Sequence, residues 1–451
     1  MTKKTKAQKL KVVLDIPTLT TQSSKTLMQY PDNDIFELIG IGSLNDRKTA
    51  TLIFENKEPR SIKIDFPQNP NISTEYGFNY LRQDIEKLAK YLNTTYEQLL
   101  PGFMFSVMAR FDEAKVIFIT ENQILLGNKI LNKFGFSDLQ PHSILHPDEA
   151  IVFIDLFAKS NKTYFTSPHR YANKGLWYLY SMKSKMVNFQ LPWSIVVYAD
   201  TSFPNKQEFI DAIESLGDRI TDMLIAVDKI GMCYYEGSNN DTLDTTIYHL
   251  NYWIALFTGV LDSLGWITKY RYQITYDEFT KQGIRKRLHK KFLNLVFPQN
   301  ALLSDVLDKN DQIINLMYNP RDIVIHRDRL KGTRYQNKVE SLSLNLVKIS
   351  KIFFNNIVSL SKESGDILGE WGHLKLSGLP HEYYLEPYRF VKKATEKLIS
   401  FINEYLEQLN FTDYLTQYPN IKTSFDKSNK EKISLDFDRD IKIFEKYKLG
   451  F

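Results

Sequence analysis

The hydrophobic period of this chain changes near Pro204, and that change limits the folds open to it. Before it, apolar residues come in short runs of strand type. IFELIGIG (35–42) and TATLIF (49–54) flank the turn-like SLNDRK, and SIKIDF (61–66) alternates, so a short β-meander is predicted. A helix is expected at about 80–100 (NYLRQDIEKLAKYLNTTYEQLL). Strand-like KVIFIT (115–120), LWYLYSM (176–182) and SIVVYA (194–199) follow. After Pro204 the spacing turns helical. Glu208–Gly231 and the long apolar stretch Thr245–Tyr270 read as helices. Leu342, Leu346, Ile349, Phe353, Ile357 and Leu360 mark one amphipathic helix by gaps of three and four. Val391, Ala394, Leu398, Phe401, Tyr405 and Leu409 mark another, opened by Pro387, with a loop at 364–387 between them.

The organisation expected is a basic flexible tail (1–30), an α+β domain (31–204), an all-α helical bundle (205–412) and a mixed-charge tail (413–451). A chain of 451 residues is long enough for two domains. With 43% hydrophobic and 25% charged residues it has the composition of a folded soluble protein. The net charge of +5 is too small to imply nucleic-acid binding by itself, so local clusters matter more.

One cysteine, Cys233, excludes an internal disulfide and a cysteine-built metal site, and fits a reducing cytoplasm. The basic start MTKKTKAQKLKVVLDIP lacks the apolar segment of a signal peptide. YWIALFTGVL (252–261) is well short of the ~20 residues that span a bilayer. No membrane association and no cofactor are expected.

Function turns on NPRDIVIHRDRLKGTRYQN (319–337). From His326 it offers His-Arg-Asp, then Leu330, Lys331 and Asn337, which sounds like a protein-kinase catalytic loop. A kinase also needs a Gly-rich loop, a strand lysine and an Asp-Phe-Gly that holds magnesium. Gly40 and Gly42 lack a third glycine, no Val-Ala-x-Lys strand follows, and Asp-Phe-Gly occurs nowhere. Arg329 also displaces the Leu by one position. The kinase reading fails.

From Arg321 the stretch reads differently. Asn319 is a good N-cap and Pro320 suits the first helical position, so a helix is expected to start here, with Arg321 and Asp322 in its first turn. DQIINLMY (311–318) reads as a preceding helix. Arg321-Asp322-Ile323-Val324-Ile325-His326, set among helices, resembles the HEPN superfamily of bacterial defence, toxin–antitoxin and CRISPR-associated ribonucleases. The signature of that family is Arg, a polar residue, and His after four to six residues. The resemblance covers roughly 240–412 and nothing before it.

The resemblance implies a metal-independent endoribonuclease that leaves a 2′,3′-cyclic phosphate and a 5′-hydroxyl. It also implies a role in anti-phage defence or as a toxin, RNA as partner, and a homodimer in which two motifs face one cleft. His326 can move protons near neutral pH, Arg321 can hold phosphate oxygens with its planar fork, and Asp322 can fix the imidazole or the arginine. Five residues of ideal helix turn ~500°, leaving Arg321 and His326 about 140° apart. Either the arginine wraps round or a second subunit completes the site. A non-catalytic RNA- or protein-binding module on the same fold is the alternative, as is a plain core histidine among Ile323, Val324 and Ile325. The first half would then sense or regulate, through a ligand or partner of its own.

Further groups enter the reading. Asp262, amid Leu261, Leu264 and Trp266, either meets Arg321 or His326 in the core or faces solvent at a helix edge. Lys281, Arg285, Lys286, Arg287, Lys290 and Lys291 lie in KQGIRKRLHKKF (281–292), with Ile284, Leu288, Phe292 and Leu295 as an apolar stripe. This basic face, continued by Arg327, Arg329, Lys331 and Arg334, is either a phosphate-tracking surface or a solvated one. His142 and His146, followed by Asp148 and Glu149, have zinc-pair spacing. Pro141 and Pro147 bracket a turn too short for a ligand helix, so no metal site is expected. His169 and His381 have no partner in sequence.

Overall fold

Leu10–Asp15 (β1, LKVVLD) stands in the middle of the first sheet, in place of the loose tail expected over 1–30. The structure, a computed structural model, describes residues 9–30, 33–41, 49–53, 59–63, 85–99, 101–102, 116–127, 144–198, 205–275, 294, 296, 298, 300–317, 320–321, 330–337, 342–374, 382–417 and 433–447. It divides into two units, residues 1–174 with 336–343 and 447–451, and residues 175–335 with 344–446. The expected boundary near 204 therefore moves back to 174.

In the first unit β1 pairs in parallel with Phe36–Ile41 (β2) on one side and Val116–Ile119 (β5) on the other. Thr49–Ile53 (β3) and Pro59–Lys63 (β4) continue antiparallel from β2, as the meander pattern predicts. Ile144–Leu145 (β6) joins β5 in parallel, giving the order β4-β3-β2-β1-β5-β6. A strand between two parallel neighbours is covered on both faces and reads as an apolar run. That accounts for Leu10, Val12, Val13 and Leu14, all buried. The lysine and threonine content around them disguised the run as a tail.

Short helices Gln22–Leu27 (α1) and Gln123–Leu126 (α2) and the longer Pro147–Ser160 (α3) follow strands of this sheet. Where one helix was expected at 80–100, the described residues form helix at 85–91 and 96–99, broken around Asn93 with its φ of 53°. Tyr30, Phe36 and Phe165 pack as an aromatic cluster. A hairpin of Tyr164–Ser167 (β7) and Arg170–Ala172 (β8) completes the unit.

The second unit opens with two corrections. LWYLYSM and SIVVYA are helical, in Lys174–Lys185 (α4) and Gln190–Tyr198 (α5), because short apolar runs fit a buried helix as well as a strand. Trp177, Tyr178 and Tyr180 face inward from α4, and the Tyr178 hydroxyl donates to Asp228, 2.7 Å away.

Lys206–Glu236 (α6) and Asn240–Arg271 (α7) form a long hairpin. Gly237 turns the chain at φ 83°, and Asn239 opens α7 with a capping box to Thr242. Leu302–Lys309 (α8) and Asp311–Leu316 (α9) come next. The second half is not all-α, because Gly332–Asn337 (β9), Leu342–Ile349 (β10), His373–Leu374 (β11) and Tyr383–Leu385 (β12) form a sheet in the order β11-β12-β10-β9. The single helix expected from Leu342 to Leu360 is split. Its first half is β10, Ser350 caps the break by accepting from the Phe353 amide, and helix Lys351–Ser364 (α10) follows. LSLNLVKI carries a period of two as well as gaps of four.

Pro387–Gln408 (α11) packs on α6 and α7. The Trp253 indole donates to Thr395 at 3.1 Å, the Thr268 and Tyr405 hydroxyls meet at 2.6 Å, and the Arg271 guanidinium donates to the Leu409 and Asn410 carbonyls. The expected tail 413–451 instead includes helix Ile433–Tyr447, whose Phe444 is fully buried against Trp177 and Tyr180.

Glu386 caps α11. Its carboxylate accepts from the amides of Tyr388 (2.8 Å) and Arg389 (2.9 Å). Gly372, at φ 76°, lets that backbone close, since a Cβ there would lie 2.3 Å from the Glu386 carbonyl oxygen. Burial pushes the Glu386 carboxyl up to about 7, against the Arg389 and Tyr388 amides that favour its charged form. The folded chain thus holds this proton more tightly than the unfolded chain, so stability is full below the ordinary carboxylate range and falls as pH rises through about 7. Between about pH 5 and about pH 8 the loss should be on the order of 2 kcal/mol. Glu386→Gln should flatten most of that slope in chemical denaturation at the two pH values.

Candidate functional site

The sheet is fixed to the hairpin before any site is formed. Gly332 of β9 lies so close to α7 that a Cβ would meet the Ile247 and Leu243 side chains at 2.4 and 2.7 Å. Asn345 of β10 accepts from Ser238 at 2.7 Å and donates to Thr242 at 3.2 Å, which ties the strand to the α6–α7 turn. Between α7 and β10 this leaves a small, mostly apolar cavity. Leu250 and Ile254 of α7, Val347 and Ile349 of β10, and Phe353 and Phe390 line it, with Lys348 and Ser350 as its polar groups.

Pro320 and Leu330 also line this cavity, and both are buried. They bracket the segment that carries the Arg-x4-His motif. Pro320 and Arg321 are helical, and the Arg321 amide donates to the Met317 carbonyl at 2.9 Å. Ile313, Ile314, Leu316 and Met317 anchor that approach in the core. Arg321 itself is half-buried. After Leu330 the chain is tied again, because the Lys348 amide donates to the Lys331 carbonyl at 3.0 Å. Asp322, His326, Arg327 and Arg329 lie outside the described residues, as do Lys281, Arg285, Lys286, Arg287, Lys290 and Lys291.

Charge gathers on the described rim. Lys331 and Arg334 are exposed on and beside β9. The Lys348 ammonium pairs with Glu382, which raises the amine and lowers the carboxylate, and the Tyr384 hydroxyl also donates to Glu382. Asp262 is half-buried on α7, and any meeting with His326 lies outside the described residues.

His249 is a group that motif reading passed over. It precedes cavity-lining Leu250, is half-buried, and its Nδ1 has no hydrogen-bond partner among the described residues. Burial first, and Lys229 second, lower its pKa and keep the imidazole neutral. Its only signal in sequence was a histidine inside an apolar helix.

Among the described residues no three His, Cys, Asp or Glu side chains are grouped as a metal cage. His146 is instead the N-cap of α3, where its Nδ1 accepts from the Asp148 amide at 3.4 Å. His142 and His381 lie outside the described residues, and His169 is exposed in the β7–β8 turn. Among the described residues, no helix is long and apolar enough to cross a membrane. No protein-family model, curated protein or solved structure matches this chain.

His146→Ala should cost up to about 1 kcal/mol as a lost cap. It should leave zinc affinity unchanged, as read by denaturation beside a zinc titration.

Proposed function

We propose that the second unit is a metal-independent endoribonuclease of the HEPN type, acting through Arg321, Asp322 and His326. The observation that carries the reading is that Pro320 and Leu330, at the two ends of the motif segment, both line one cavity beside the long helix α7. A nine-residue segment held at both ends can present its polar side chains at one place. The arginine at its start stands half-buried in helical backbone.

In this reading His326 takes the proton from an RNA 2′-hydroxyl as its oxygen attacks the adjacent phosphorus. The bond to the 5′-oxygen breaks, that oxygen takes up a proton, and a 2′,3′-cyclic phosphate remains. Arg321 holds the non-bridging oxygens as charge builds on them. Asp322 orients the imidazole or the guanidinium. The ~140° between Arg321 and His326 on an ideal helix favours a site shared by two copies of the chain. A defence or toxin-like role, with the first unit as sensor or regulator, goes with the family resemblance.

RNA cleavage should therefore survive EDTA and yield cyclic phosphate ends. Arg321→Ala and His326→Ala should each abolish it without unfolding the chain, and mixing the two variants should restore part of it. Cleavage that requires magnesium, or that persists in His326→Ala, sinks the assignment. RNA binding by a wild type that never cleaves points to the non-catalytic module.

The basic stretch 281–292 supplies the affinity in this reading, because phosphate contacts position RNA without reading its sequence. Reversing Lys286, Arg287 and Lys290 to Glu should weaken binding to all RNA sequences alike and flatten its salt dependence. Filter binding at two salt concentrations reads both, and wild-type behaviour reduces the stretch to a solvated face.

A further inference from the structure

The ribonuclease reading gives the RNA backbone its phosphate contacts and leaves the bases without any. Two rings on α7 are placed to supply them. Among the described residues of the second unit, Tyr248 (68% exposed) and Tyr252 (41% exposed) are the exposed aromatic side chains, and the other exposed large apolar groups of that unit are aliphatic. Their spacing of four puts both rings on one face of the helix. A single exposed ring needs no explanation. This pair is set apart by how it is held and by what lies beside it.

The Tyr252 hydroxyl donates to Asp222 of α6 at 2.8 Å, which fixes that ring. The Tyr248 ring stands at 85° to the His249 imidazole, with centroids 5.1 Å apart, and most of it stays in solvent. Ile247, one residue earlier, is the side chain that a Cβ on Gly332 would strike at 2.4 Å. Tyr248 therefore adjoins the point at which β9 meets α7. Lys331 precedes Gly332 there, and Arg334 follows it by two residues.

Both cations are exposed, and neither pairs with a carboxylate among the described residues. The Lys348 amide holds the Lys331 carbonyl at 3.0 Å, so the backbone beneath this charge is fixed. Asp241 and Asp244 are exposed on α7 before Tyr248. A phosphate is repelled from that end of the helix and drawn to the β9 side. Leu330, on the far side of Lys331, lines the cavity together with Leu250 and Ile254, so this surface continues into the candidate site.

We propose that Tyr248 is a base-stacking contact for single-stranded RNA, its ring taking one unpaired base while Lys331 and Arg334 take flanking phosphates, an inference that rests on the ribonuclease reading of the second unit. Every base offers a π-face, so such a contact tolerates any sequence. Bases paired inside a duplex are already stacked and cannot use it. Tyr252, tied to Asp222, extends the platform by one turn of helix.

A short 2′-O-methyl RNA carrying 2-aminopurine tests this on the full chain, because it has no free 2′-hydroxyl to attack and stays intact. Wild type should bind it and quench the 2-aminopurine fluorescence. Tyr248→Ala should lose the quench and weaken binding roughly fivefold to a hundredfold. Tyr248→Phe should keep both, since the ring and not the hydroxyl makes the contact. The same strand in a duplex should bind wild type and Tyr248→Ala alike. Wild-type binding and quench in Tyr248→Ala, or a Tyr248→Phe as weak as Tyr248→Ala, overturns the stacking site and leaves any RNA cleavage by wild type standing. Stacking in a protein that never cleaves RNA keeps the site and sinks the catalytic reading instead. No RNA binding by wild type overturns the proposal and leaves the tyrosine pair to a protein partner.

Discussion

The seam between α7 and α11 is the interaction on which the second unit depends. Along it, polar side chains are paired inside an apolar contact: Trp253 with Thr395, Thr268 with Tyr405, and Arg271 with the carbonyls that end α11. Each donor would leave a buried, unsatisfied group if the helices slid by a turn, at a cost of about 1–3 kcal/mol apiece. Packing of Trp253, Phe257 and Phe390 gives the seam its strength, and these pairs give it one register. Once α7 is fixed, β9 and β10 can lie on its first turns and the cavity between them has a defined shape.

The long helices were legible because their apolar spacing runs over many turns and their ends carry chemistry that can be read directly. Pro387 opens α11 as expected, whereas α7 starts at Asn240, capped by Asn239, five residues before the expected Thr245. The failures were local in kind. LSLNLVKI satisfies two periods at once, and only the Ser350 cap decides between one long helix and a strand followed by a helix. The aromatic run around Trp177 has the composition of a strand, but its burial against Phe444 depends on a helix more than two hundred residues away. Leu10–Asp15 was hidden by its lysine-rich setting, since nothing nearby in sequence announces that β2 and β5 will flank it.

The motif and the buried pair of Asp15 and Thr120 differ in legibility for a related reason. A motif such as Arg321 to His326 can be found by spacing alone, whatever the fold around it. The edge at Asp15 and Thr120 cannot, because the two residues are 105 apart in sequence and become neighbours only through parallel strand pairing. His249 falls between these cases. Its imidazole is kept neutral by burial in a helix that was itself predicted, but helical periodicity does not say which flank a neighbouring element will cover.

How the chain treats buried carboxylates sets Asp15 apart. Asp155 is buried beside Lys159 at 2.5 Å, so charge meets charge. Glu386 is buried at a helix start, where both oxygens take backbone amides. Both follow the rule that a buried carboxyl must be paired or hydrogen-bonded, and Glu386 even so holds its proton up to about 7. Asp15 has one oxygen on Thr120 and the other on nothing described, and burial raises its pKa against the hydroxyls of Thr120 and Thr18. If stability alone shaped this position, asparagine would keep the Thr120 contact without burying a charge. The ionised carboxylate carries a cost that the described contacts of Oδ1 do not offset. Burial favours the protonated form of Asp15, and a protonated carboxyl brings it under the rule the other two obey by removing the charge itself.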